Sequence, residues 1–184
     1  MATAIAPSPF RHSPTRRGRP AQRSSDLDTI GRDGLYGGMT SETRLLVLRL
    51  ALTLTALEFF GPALRDTNAS HVFNPHWVGH ARVHLAWLLG FMALSGVANL
   101  YLIWWRRPAL ESLRLSALWQ SCNLGGFWLA VLFNPVYEGA ITVPGIHMHV
   151  FGIDENVFAF GVLTAILAGI WLALLGGRRA DAAA

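Results

Sequence analysis

The chain has 184 residues and a formal net charge of +4, and it is 52% hydrophobic but only 14% charged. A soluble domain ordinarily carries about 25% charged residues, so the composition argues against one and points toward lipid. All fifteen basic residues are arginines, most of them placed in the N-terminal tail or beside apolar runs, which is a pattern of membrane orientation and excludes nucleic acid from the expected partners.

Residues 1–40 show no hydrophobic period. The stretch "MATAIAPSPFRHSPTRRGRPAQRSS" has five arginines, four serines, four prolines and no acid. Such a segment buries too little apolar surface to offset its ordering entropy, so a disordered tail is expected. A cytoplasmic tail is the plain reading, with Met39 as an alternative start. The Arg- and Ser-rich, acid-poor composition also fits a transit peptide, which would place the protein in an organellar membrane. No apolar segment follows Arg16 and Arg17 directly, which argues against a twin-arginine export signal.

Four apolar segments follow, roughly Leu45–Leu64, Val83–Trp105, Leu113–Phe133 and Val157–Leu175. Each has about 20 residues, enough to cross a hydrocarbon core of about 30 Å. The expected fold is all-α: an integral-membrane four-helix bundle over residues 41–178, with a short tail at 179–184. Arg44, Arg106, Arg107, Arg114, Arg178 and Arg179 flank one side of these segments. The positive-inside rule then puts both termini in the cytoplasm and makes the protein multi-pass. The links 66–82 and 134–156 fall on the opposite side, together with His71, His76, His80, His147 and His149, and with His84 just inside.

The link "HVFNPHWVGHARVH" (71–84) holds four of the seven histidines. Asn74 followed by Pro75 reads as N-cap and first helical residue. His76, His80 and His84 then occupy an arc of roughly 80° on one helix face, continued inward by Phe91, Ser95 and Asn99. Glu58 lies about 10 Å below the end of the first span. An intramembrane acid normally faces the bundle interior and marks function. Its partner is expected to be His84, as a proton-handling pair, or Arg65, as a plain ion pair. In the third span, Cys122 reads as a small buried hydrophobe, and Gln120 and Asn123 as interhelical hydrogen-bonders. Gly125 and Gly126 leave room for close contact with a second copy in a homodimer. In "GIDENVFAF", Asp154 or Asn156 is expected to cap the last helix, with Glu155 favouring its positive end.

The 71–84 stretch resembles a pattern of small four-helix membrane proteins of fungi and bacteria: a His, then Asn-Pro and an aromatic, then His-Ala-basic-x-His. That resemblance implies no activity. In architecture, four short spans with Glu, His, Asn and Trp around one cavity resemble the emopamil-binding-protein group. There an acid and a histidine shift a sterol double bond through a carbocation. The resemblance implies such parts for Glu58, His84, Asn156 and Trp87.

Three functions are expected to compete. The first is a membrane enzyme that isomerises or cyclises an isoprenoid, sterol or other lipid without a cofactor. Glu58 and His84 would handle the proton, with His80 and Glu155 in support. Trp87, Phe91, Asn99, Trp128 and Asn156 would line the substrate site, the aromatic rings stabilising cationic character. The second is an oxidoreductase whose transition metal is held by His76, His80, His84, His147 and His149. The third is a non-catalytic accessory or transport protein with structural or pH-sensing histidines.

Overall fold

The computed structural model describes residues 40–141 and 148–181, the last five by backbone alone. The chain is mostly helical. Helix α1 (Ser41–Thr55) runs almost directly into α2 (Leu57–Arg65). Next come α3 (Gly79–Trp104), α4 (Ala109–Phe133) and α5 (Glu155–Asp181). Counting α1 and α2 as one interrupted rod, these are the four helices expected. The disordered tail expected at 1–40 lies, but for Thr40, outside the described residues.

Helix α1 starts at Thr40, whose hydroxyl accepts the Thr43 N–H at 3.2 Å. The rod breaks at Ala56, where Phe59 N–H bonds back only three residues, to the Ala56 carbonyl at 3.1 Å. Pro62 sits inside α2. It offers no N–H to the carbonyl four residues earlier and crowds it, which favours a bend in this stretch. Helix α1 packs against α3, α4 and α5, and α2 continues along α3. The approach of α2 to α3 depends on Gly96: a Cβ there would stand 2.5 Å from the Phe60 ring.

The main core is made by Leu48 and Leu52 of α1, Ile103 of α3, Leu113, Ala117 and Leu124 of α4, and Leu167, Ile170 and Leu174 of α5. A smaller cluster of Ala56, Phe59 and Met92 lies toward the histidine-bearing end. The outward faces are apolar too: Leu46, Leu50, Leu54, Val83, Leu94 and Leu172 are all exposed. Ser41–Arg65, Gly79–Trp104 and Glu155–Gly176 are long and apolar enough to cross a membrane. Helix α4 is not among these three. It gathers Ser112, Ser116 and Gln120 on its buried face, and these residues with Asn123 lower its hydropathy.

The start of α3 corrects the sequence expectation. The helix begins at Gly79 after Val78, not at Asn74. Asn74 does cap a turn, its Oδ1 accepting the His76 N–H at 2.9 Å, but only a single turn. The preceding link has its own hydrogen-bonding centre, Asn68. Its Oδ1 accepts Ser70 N–H at 2.8 Å and His71 N–H at 3.2 Å, and its Nδ2 donates to the Arg65 carbonyl at 2.6 Å. With the backbone satisfied in this loop, residues 71–78 gain nothing by extending α3 backwards. His76 therefore does not belong to a helical stripe with His80 and His84.

Before α5, His149–Val150 and Ile153–Asp154 form a two-residue antiparallel ladder, His149 opposite Asp154. Its loop, Phe151 (φ 53°) and Gly152 (φ 80°), has both residues left-handed, as a tight type I′ hairpin requires. Asp154 then caps α5, its Oδ1 accepting Asn156 N–H at 2.9 Å and Val157 N–H at 3.3 Å, as the sequence predicts.

Candidate functional site

At the histidine-bearing end the helices part. Between α2, α3 and α4, with Phe160 of α5, they leave a cleft of about 520 Å³. Its wall is almost wholly apolar, with Phe59, Met92, Trp119 and Phe127 prominent, and Asn123 is its one amide. Phe127 stacks on Phe160 with centroids 4.0 Å apart and planes 16° from parallel, which fixes that side. A ligand pocket of this kind, apolar with few polar groups, suits a hydrophobic molecule.

Glu58 lies behind this wall. It is 2% exposed, and neither carboxyl oxygen makes a hydrogen bond of normal geometry. The polar group that bears on it is the Asn123 side chain. A buried carboxyl with so few hydrogen-bond partners is costly, which marks the position for its chemistry rather than its packing.

The structure does not join Glu58 to the partners expected from sequence. Arg65 donates to Glu155 at 2.8 Å, tying the end of α2 to the start of α5. Glu155 is thus engaged in an ion pair. His84 is exposed and turns to His80, Nε2 to Nε2 at 3.0 Å, with the rings edge-on. One ring must donate and the other accept, so the contact holds a single shared proton. His84, Trp87, Leu88 and Phe91 line a shallower groove of about 390 Å³. It shares Leu88 and Phe91 with the cleft, so His84 and Trp87 stand beside its mouth.

The other expected substrate contacts separate. Asn99 is fully buried in a network away from the cleft wall. Ser116 donates to its Oδ1 at 2.7 Å, and its Nδ2 donates to the Ser95 carbonyl at 2.9 Å. Gln120 extends that network, donating to Ser116 Oγ at 3.2 Å and to the Leu52 carbonyl at 3.1 Å, and accepting from Thr55. This is the interhelical bonding expected of Gln120. Trp128 spends its indole N–H on Thr164 at 2.9 Å. Asn156 is exposed at the start of α5.

Of the expected metal ligands, His76, His80, His84 and His149 are all exposed, and His147 lies outside the described residues. Among the described residues no three His, Cys, Asp or Glu side chains gather as a metal site would need. His80 and His84 remain as a pair.

Cys122 corrects another expectation. It is exposed and lines the cleft, where sequence read it as buried. Cys122, Asn123, Gly126, Phe127 and Ala130 all line the cleft. Their helical spacing was present in the sequence, but the open ground in front of that face was not. Arg49, inside the first apolar run, escaped notice altogether. Its guanidinium lies over the Trp104 ring at 5.7 Å, and its Nε and one terminal nitrogen are buried without a partner.

Asp66, at the C-terminal end of α2, is perturbed. Burial raises the Asp66 carboxyl above its ordinary range, against the opposing pull of His71, 3.8 Å away, and Arg65.

Comparison with protein-family models, with curated proteins and with solved structures gives no match.

Proposed function

We propose that this protein is a small multi-pass membrane enzyme that takes an isoprenoid, sterol or other lipid into the cleft and isomerises or cyclises it by proton transfer. One observation carries the reading: the buried carboxyl of Glu58, set behind the wall of an apolar cleft and against Asn123, which lines that cleft. The exposed apolar faces and the three span-length helices support the membrane setting. The arginines at 44, 106, 107 and 114 support a cytoplasmic side at the end opposite the cleft.

Glu58 would add a proton at one carbon and recover one from another. That sequence balances without an oxidant or a cofactor. Phe59, Phe127 and Trp119 surround the cleft with π-faces that favour transient positive charge. His84 and Trp87 would meet substrate beside the cleft; the proton would be handled by Glu58 alone, with Asn123 hydrogen-bonding and orienting its carboxyl.

The test is deuterium uptake. Full-length protein in liposomes is incubated in D2O with fractionated isoprenoid and sterol extracts, and the lipids are read by mass spectrometry. Wild type and Glu155→Gln should incorporate deuterium into one hydrophobic species, and Glu58→Gln should not. Uptake that survives in Glu58→Gln removes the carboxyl from the reaction. Failure of wild type to label any fraction overturns proton transfer itself.

A further inference from the structure

A second cavity, of about 510 Å³, opens at the arginine-bearing end of the bundle. Its walls are the first turns of α1 and α4 and Leu174 of α5, with Leu45, Leu48 and Leu110 as apolar floor. Its charged groups are Arg44, Arg114 and Glu42.

Both arginines are held in place by the fold. Arg44 donates to the Ala173 carbonyl, and Arg114 Nη2 donates to the Leu174 carbonyl at 3.4 Å. Each bond uses one of five guanidinium donors. Arg114 lines the cavity, and its Nε is buried and makes no hydrogen bond within the chain. Ala109 and Leu110, in the first turn of α4, line the same cavity, and that helix starts at Pro108 without a side-chain cap. Its open N–H groups add to the two guanidinium charges, although Glu111 in the same turn offsets part of the helix's positive end. Together they suit a phosphate.

Glu42 narrows the choice. A carboxylate on the same wall disfavours a bare phosphate dianion and favours a ligand that also carries a cation. A phosphodiester joined to an ammonium by two carbons meets both demands. Its glycerol and acyl chains would leave over Leu110, 47% exposed, and along the exposed Leu46 and Leu50 of α1. We infer that this cavity is a binding site for the phosphoethanolamine headgroup of a membrane phospholipid, with Arg44 and Arg114 on the phosphate and Glu42 on the ammonium. The inference rests on the membrane reading above but not on the proposed chemistry.

The test uses full-length protein in nanodiscs of equal parts phosphatidylethanolamine, phosphatidylglycerol and phosphatidylcholine. The protein is released into mild detergent, and retained lipid is identified by native mass spectrometry. Wild type should keep the ethanolamine lipid preferentially. Arg114→Gln should lower its retention by about tenfold, equivalent to about 1.4 kcal/mol. Glu42→Gln should remove the preference over the glycerol headgroup while phosphate-dependent retention persists. Arg44→Gln and the cavity-filling Leu110→Trp should both lower retention, which guards against misfolding in any one variant. Equal retention of the three lipids by wild type, or unchanged retention in Arg114→Gln and Leu110→Trp, overturns the site. Displacement of the lipid by millimolar soluble phosphoethanolamine or inorganic phosphate assigns the cavity to a soluble phosphate and overturns the lipid. Liposome flotation is run alongside: protein that does not float refutes the membrane setting, and floating protein without headgroup preference refutes this site alone.

Discussion

Gln120 donates its side-chain amide to the main-chain carbonyl of Leu52, 3.1 Å away across the bundle, one turn before α1 breaks at Ala56. The same carbonyl accepts the Ala56 N–H at 2.9 Å. Thr55, on the same turn, donates to Gln120. The break and the buried network therefore meet at one place. Gln120→Leu would delete the bonds to Leu52, Ser116 and Thr55, while Thr55 keeps the Ala51 and Leu52 carbonyls and Ser116 keeps Asn99. It should cost about 1 kcal/mol, since interhelical hydrogen bonds are modest when no group is orphaned. Thermal unfolding in detergent measures this. An unchanged midpoint would mean that the network does not hold α1 to α4.

Gly96 sets how closely α2 approaches α3. A methyl there would press on the Phe60 ring, and the ring or the helix would have to move. Gly96→Ala should destabilise by about 1–3 kcal/mol. Gly90→Ala, on the same helix with open space in front of its Cβ, should instead gain up to about 1 kcal/mol from helix propensity. Opposite signs in the two thermal shifts are the expected result. Two equal shifts would place the cost elsewhere.

The sequence was most legible where one element decides the outcome alone. Long apolar runs marked the four helices, and the cap of α5 was narrowed to Asp154 or Asn156, of which Asp154 serves. The helix start at Asn74 failed because Asn68 gathers the loop backbone from outside the local pattern. The expected stripe down α3 failed for a different reason. His84, Phe91, Ser95 and Asn99 do share roughly one face by angle, but the neighbouring helices are not equally near along it. The face is sealed at Ser95 and Asn99 and open at His84 and Phe91, where the helices part to form the cleft. Periodicity gives the direction of a side chain along its own helix, and nothing in it says where the neighbours stop. For the same reason Glu58 was recognisable as an interior acid, while its neighbour Asn123 and the exposure of Cys122 were not.

Arg65 and Glu155 make an ion pair in which the arginine is 57% exposed. Solvent and salt screen such a pair, so breaking it with Glu155→Gln should cost less than about 1 kcal/mol. The difference from wild type should shrink further at high ionic strength. Deuterium uptake in the lipid assay should persist, because the Glu155 carboxylate is engaged with Arg65 at the start of α5. Loss of uptake at unchanged stability would return Glu155 to the reaction.

Asp66 links stability to pH. Burial raises its carboxyl above the unfolded value, and His71 and Arg65 only partly oppose that. A raised acid binds its proton more tightly in the folded state. Its stabilising contribution is complete below the unfolded value and is lost as pH rises through the folded one. At neutral pH the ionised carboxylate is therefore a net burden at the head of the loop. Asp66→Asn removes that charge and keeps a similar shape. It should raise the unfolding midpoint at pH 7 by on the order of a few °C, and the gain should vanish on acidification below the ordinary carboxylate range. His71→Ala acts in the opposite direction. It deletes one of the two groups that favour the ionised form, so it should lower the midpoint. An Asp66→Asn midpoint that falls at pH 7 would show that pairing with His71 and Arg65 outweighs burial, and the sign of the argument would reverse.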